Sequence, residues 1–192
     1  PNIVLSKDGV VGEWVGTEWQ VTARVLDRHT LLLGAEYREN IRQYQFAYLD
    51  MQPRAYSLKD DRSSQTLGVY AQDEAAILTN LLLTVGLRYD YHFGSFGGTA
   101  NPRAGLIYNP WATTTFKALY GQAFRAPNPY ERYCNPEQAS RPELGPETIR
   151  TCELVCEQYL GRHYRMSVSG FYYKMEDLIA QAATPTGDIY FD

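Results

Sequence analysis

The chain has 192 residues, of which 22 are acidic and 18 basic, for a formal net charge of −4. With 44% apolar and 21% charged residues, its composition is that of a folded globular chain and not a disordered one. No Lys/Arg cluster offers a footprint for nucleic acid, and no stretch approaches the roughly 18 apolar residues of a membrane-spanning helix.

Tyrosine occurs 16 times and aromatic residues make up 14% of the chain. Tyrosine favours strands, and surfaces where one end of the ring is apolar and the other wet. Pro1 opens the sequence with no charged-then-apolar leader, which says nothing about compartment.

In chain order, the first period-two segment covers residues 10–25. There Val11, Val15, Trp19, Val21, Ala23 and Val25 oppose Gly12, Gly16, Glu18, Gln20, Thr22 and Arg24. Residues 30–42 repeat the pattern, with Leu31, Leu33, Ala35 and Tyr37 against Gly34, Glu36, Arg38, Asn40 and Arg42. A less regular strand is expected at 66–76. The clearest alternation is at 81–92, where Leu81, Leu83, Val85, Leu87, Tyr89 and Tyr91 alternate with Leu82, Thr84, Gly86, Arg88, Asp90 and His92. Further strands are expected at 102–109, at 113–125 (Phe116, Ala118, Tyr120 and Phe124 on one parity), at 148–160, and from Tyr164 to Tyr172. Residues 188–192 read as the start of another.

These segments predict an all-β, antiparallel up-and-down sheet of about eight or nine long strands. Several reach 12 residues or more, whereas strands of soluble sheets favour about five or six. Connections alternate in length. Those at 26–29, 78–80, 109–112 and 160–163 are short; those at about 45–65, 93–101, 126–147 and 176–187 are long. Tight turns at one rim and long loops at the other are the plan of outer-membrane β-barrels. A tilted strand of about 9–11 residues crosses a bilayer, so these are long enough. Alternation alone does not separate that architecture from a soluble β-barrel carrying an apolar ligand, nor from a complete small eight-stranded barrel. Strand length, loop asymmetry and aromatics near strand ends favour a membrane barrel with Glu36, Arg38, Arg88 and Asp90 turned to the lumen.

The three cysteines, Cys134, Cys152 and Cys156, match no zinc spacing. Residues four apart on a strand are roughly 13 Å apart, beyond the roughly 7 Å a disulfide tolerates. They read as small apolar side chains. No nucleophile motif accompanies His29, His92 or His163, and Glu153 and Glu157 are too far apart for a paired-carboxylate site. No enzyme, metal site or cofactor is expected.

Residues 99–179 carry a more specific signal. The run Gly121-Gln-Ala-Phe-Arg-Ala-Pro-Asn-Pro-Tyr-Glu-Arg-Tyr133 resembles the G-x-x-F-R-A-P…E-L-Y segment of TonB-dependent outer-membrane receptors. Arg141-Pro-Glu-Leu-Gly-Pro-Glu-Thr148 is similar to their N-P-x-L-x-P-E-T, and Glu153-Leu154 to their Y-E-L-G. Tyr70-Ala-Gln-Asp-Glu74, Gly86-Leu-Arg-Tyr-Asp90, Asn101-Pro-Arg-Ala-Gly-Leu106 and Phe171-Tyr-Tyr-Lys-Met-Glu-Asp-Leu-Ile179 resemble four more family strings, in family order. Arg141 stands where the family has Asn, Cys152 where it has Tyr, and Cys156 near an expected Gly.

The resemblance implies a barrel of roughly 22 strands closed around a plug. Residues 1–192 would be an internal segment of it, lacking plug, TonB-contacting box and final strands. It also implies an outer-membrane receptor of a Gram-negative bacterium that imports a scarce small molecule, such as an iron chelate or cobalamin, with TonB and the plug as partners and lipid around it. Arg125, Pro127 and Glu147 would be structural or lumen-facing; an ion pair fixing the loop base is the favoured role of Arg125. Tyr44, Phe46, Tyr48 and Tyr56, together with Tyr130, Arg132 and Tyr133, are candidate ligand contacts on the long loops. For these rings, girdle or loop packing is the stronger reading.

Overall fold

A computed structural model describes residues 4–134, 138, 144–185, 187 and 189–192. Eight strands follow one another along the chain: β1 (Ser6–Val25), β2 (His29–Leu49), β3 (Ala55–Leu78), β4 (Leu81–Phe93), β5 (Gly97–Trp111), β6 (Thr114–Arg125), β7 (Glu147–Leu160) and β8 (Tyr164–Glu176). Each pairs antiparallel with the next, in the order β1 to β8. Among the described residues β1 and β8 do not pair with one another, so these strands form a curved wall and not a small closed barrel.

The connections at 26–28, 79–80, 112–113 and 161–163 are tight. At the first, Leu26 and Asp27 have φ of 53° and 55°, the left-handed pair that lets a short turn match the twist of its strands.

Two expected loops are largely strand. The segment at 45–65 is the top of the β2–β3 hairpin, and only residues 50–54 connect the strands. The segment at 93–101 shrinks to residues 94–96. Apolar alternation fades in both, but backbone ladder bonds need no apolar side chain to continue. The connection at 126–146 remains long and holds the short helix α1 (Pro129–Tyr133). The chain end also differs from expectation: β10 (Ile189–Phe191) pairs with β9 (Gln181–Ala183) as a separate two-stranded sheet, and adds no ninth strand to the wall. A bulge in β2 between Asn40 and Gln43 inserts Ile41. It moves Arg42 off the face of Arg38 and Asn40 and onto that of Glu13 and Tyr44.

The wall is inside-out. Buried polar residues on the inner parity include Gln45, Asp90 and Asn101, whereas the buried apolar side chains among the described residues are few, Ala75, Pro127 and Cys134. On β4, Val85, Leu87 and Tyr89 are 44, 52 and 43% exposed, while Asp90 on the other parity is 7% exposed. A sheet that exposes its apolar rows and covers its polar ones is built for lipid outside and a polar lumen inside. That inner face is wrong for carrying an apolar ligand. Polar residues interrupt the outer face near both rims: at the turn rim Asp73 lies 2.7 Å from His29 and Thr114 donates to Gln158 at 2.7 Å, and towards the loop rim Gln122, Arg150 and Lys174 share a row. Cys152 and Cys156 stand on the outer face beside Tyr120 and Phe116. At the opposite rim, Lys7 holds the carboxyl of Asp50 2.5 Å away and below its ordinary pKa.

A candidate ligand-binding mouth

The site is built at the loop rim around Arg125, the last residue of β6. Its cross-strand partner is Glu147, the first residue of β7, and Arg125 Nε donates to Glu147 Oε2 at 2.6 Å. The same guanidinium donates to both oxygens of Glu131 at 3.0 Å. Glu131 closes a capping box on α1: its backbone N–H donates to Asn128 Oδ1 at 2.9 Å, and its carboxylate accepts from the Asn128 backbone N–H at 2.7 Å. Pro129 sits in the first turn, where a missing N–H costs nothing. Pro127, in the connection between β6 and α1, has no N–H to offer a ladder. Glu147 Oε1 also accepts the Ile179 backbone N–H at 2.8 Å. One arginine thus ties a strand end, the helix and the following loop base together. Arg125→Ala is expected to raise trypsin cleavage within 126–146 severalfold while leaving the strands protected; unchanged cleavage would show that the loop holds without it.

Held this way, α1 lies over the inner face of the β2–β3 hairpin. Gln45 Nε2 donates to the Pro129 carbonyl at 3.1 Å, and the Arg62 guanidinium stacks 3.6 Å from the Tyr133 ring centroid. Arg132 donates to Ser95 in the β4–β5 connection. Between helix and wall is a cleft of about 760 Å³, bordered by Arg38, Asn40, Ser64, His92, Arg132 and Tyr133 among others. Arg62 is paired with Asp60 at 2.7 Å. Arg38, which stacks on Trp14 at 4.3 Å, and Arg132 form no ion pair among the described residues. Glu36 and Asp61 also border the cleft but are paired with Arg88 and Arg42, which leaves two cations beside an aromatic ring, a set that suits a flat anionic ligand.

Deeper on the inner face, Arg88 Nε donates to Asp90 at 2.9 and 3.0 Å and its Nη2 to Glu36 at 2.8 Å. Tyr70 lies beside it and donates to Glu18 at 2.6 Å. Gly68, paired opposite Asp90, makes the cluster possible: a Cβ there would come within 2.5 Å of Arg88 Nη2.

The expected contact residues divide. Arg132 and Tyr133 border the cleft. Tyr130 is turned to Phe191, with centroids 5.8 Å apart. Tyr44, Phe46, Tyr48 and Tyr56 form a ladder with successive centroids 5.3–5.8 Å apart, on the face opposite Gln43, Gln45 and Arg62, so they do not reach the cleft. The sequence reading passed over Arg62, Gln45 and Ser95. Asn128-Pro-Tyr-Glu131 was a legible helix start; the long-range partners had no local signal. Arg141 lies outside the described residues.

The family model described as TonB dependent receptor-like, beta-barrel, matches residues 4–191. The chain belongs to the TonB-dependent receptor β-barrel family. This receptor segment also superposes on solved structures at identities that show the fold alone. The copper transporter OprC matches with a TM-score of 0.74 at 16% identity, over 97% of this chain and 33% of that one. A variant of the ferric enterobactin receptor PfeA from Pseudomonas aeruginosa gives 0.70 at 20%, over 91% and 29%. The siderophore receptor PirA from the same organism gives 0.70 at 20%, over 97% and 37%. The receptor segment therefore spans about a third of the length of these structures. No curated protein sequence matches it.

Proposed function

We propose that the chain forms part of the wall and mouth of an outer-membrane receptor that binds a scarce, anionic small molecule such as an iron chelate and imports it, driven through TonB acting on a plug. The observation that carries this reading is the cleft at the loop rim of an inside-out wall, bordered by Arg38, Arg132 and Tyr133. Structures of similar fold include proteins described as iron, siderophore and copper transporters. Long connections face the cell exterior in this proposal and short turns the periplasm. In the full-length receptor, Arg132→Ala is expected to weaken binding of an anionic ferric chelate about tenfold, the lower end of the range for one charged hydrogen bond. A neutral or cationic chelate should be unaffected. Equal loss for all chelates would mean that Arg132 only supports the loop.

Orientation has its own test. An epitope tag placed at Met51 should be detected on intact cells, and tags at Asp27 and Gly161 only after permeabilisation. Surface detection at Asp27 would invert the wall and remove the cleft from the exterior.

A further inference from the structure

The outward face of β5 to β8 is furrowed in a way that ligand uptake does not use. Cross-strand rows build it. Nearest the loop rim is Phe124–Thr148–Glu176, and next Gln122–Arg150–Lys174; below these come Tyr120–Cys152–Tyr172, then Ala118–Leu154–Gly170, then Phe116–Cys156–Val168. Small residues at 118, 152, 156 and 170 leave a trough of about 690 Å³ that continues into a second hollow of about 450 Å³. A Cβ on Gly170 would meet nothing within 4 Å. Tyr172 and Leu154 project beside the trough, 70 and 67% exposed.

The polar row above it is not neutral. Glu176 is 3.1 Å from Arg150 and 2.7 Å from Lys174, so one carboxylate faces two cations and leaves one positive charge. Arg150 also donates to Gln122 at 3.1 Å. Successive rows on one face are about 6.6 Å apart along a strand. A charge that close above an apolar furrow matches a lipid whose phosphate sits just above its acyl chains.

We propose that this face binds one phosphorylated glycolipid of the outer leaflet, lipopolysaccharide, with a phosphate at Arg150 and Lys174 and an acyl chain in the trough between Tyr120 and Tyr172. The choice of leaflet rests on the orientation proposed above. The site itself rests on charge complementarity and on the continuity of furrow and cation row. A neutral headgroup would leave the charge unanswered, and a flat outer face would hold no chain in register.

Native mass spectrometry of the full-length receptor, released into mild detergent and offered deep-rough lipopolysaccharide or phosphatidylglycerol, tests this. One bound lipopolysaccharide is expected. Arg150→Gln and Lys174→Gln should each weaken retention about fivefold, the scale of one basic side chain at a lipid surface. Gly170→Phe, which fills the trough, should abolish retention, with heat-modifiable gel mobility verifying that each barrel is folded. Ferric chelate binding should be unchanged in all three variants, so loss of lipid with chelate retained leaves the uptake function intact. Retention indifferent to the variants, or preference for phosphatidylglycerol, would overturn the site as proposed.

Discussion

Leu87→Arg in the full-length receptor is expected to destabilise the barrel by roughly 2–4 kcal/mol, the range for a cation near the midplane of a lipid-facing strand. Leu87 is 52% exposed and lies between Ala71 and Pro102, neither of which offers a counter-charge. Val85→Arg should cost less, because Val85 pairs directly with Asp73 and the new cation would find a carboxylate. Urea midpoints in phosphatidylcholine vesicles read both. Nitroxides give the matching readout: labels at Leu83 and Leu87 should be relaxed by oxygen, and a label at Thr84 by a water-soluble relaxer. A harmless Leu87→Arg together with reversed relaxer access would mean that the apolar face packs against protein.

Arg88→Met is the change expected to be most damaging on the inner face. It strips Asp90, 7% exposed, of both guanidinium hydrogen bonds and Glu36 of one. Leaving such acceptors unmatched costs about 1–3 kcal/mol. Arg88→Met with Asp90→Asn should recover part of that loss, since the double variant removes the stranded charge; strict additivity in the cycle would show that the two residues do not act as a pair. The comparison also separates electrostatics from packing, because Met keeps much of the arginine's bulk.

The wall was legible because its information is local. Period two at 81–92 assigns every residue of β4 to a face, and the same holds for most of β1 and β6. What period two does not encode is where pairing stops. Residues 55–65 carry polar side chains on both parities, and the clean alternation of 43–49 is out of phase with that of 30–40, so both read as loop, yet the ladder runs through them. The Ile41 bulge reversed the face of Arg42 for a similar reason: one extra residue leaves no mark in composition. Arg125 was readable as a loop anchor from its place at a strand end before two prolines. That Glu131 and Glu147 share it depends on a contact across 22 residues of chain. The cleft is the least legible part, since Arg62 on β3, Ser95 in the β4–β5 connection and Arg132 on α1 come together only through tertiary folding.

The height of the β2–β3 hairpin has a consequence of its own. Phe93, at the end of β4, pairs with Gln65, and residues 55–64 of β3 continue past it, about 33 Å of ribbon at 3.3 Å per residue. This parapet is held by its own ladder to β2, not by the bilayer. Its length is therefore free to vary while the buried rows stay in register, provided residues are added or removed two at a time on each strand. A single insertion turns every side chain above it to the other face, and the bulge at Ile41 is how this wall accommodates one. In the orientation proposed above, the part of the molecule that an approaching phage or antibody would meet first is thus also the part that can be redrawn at least expense to the rows beneath.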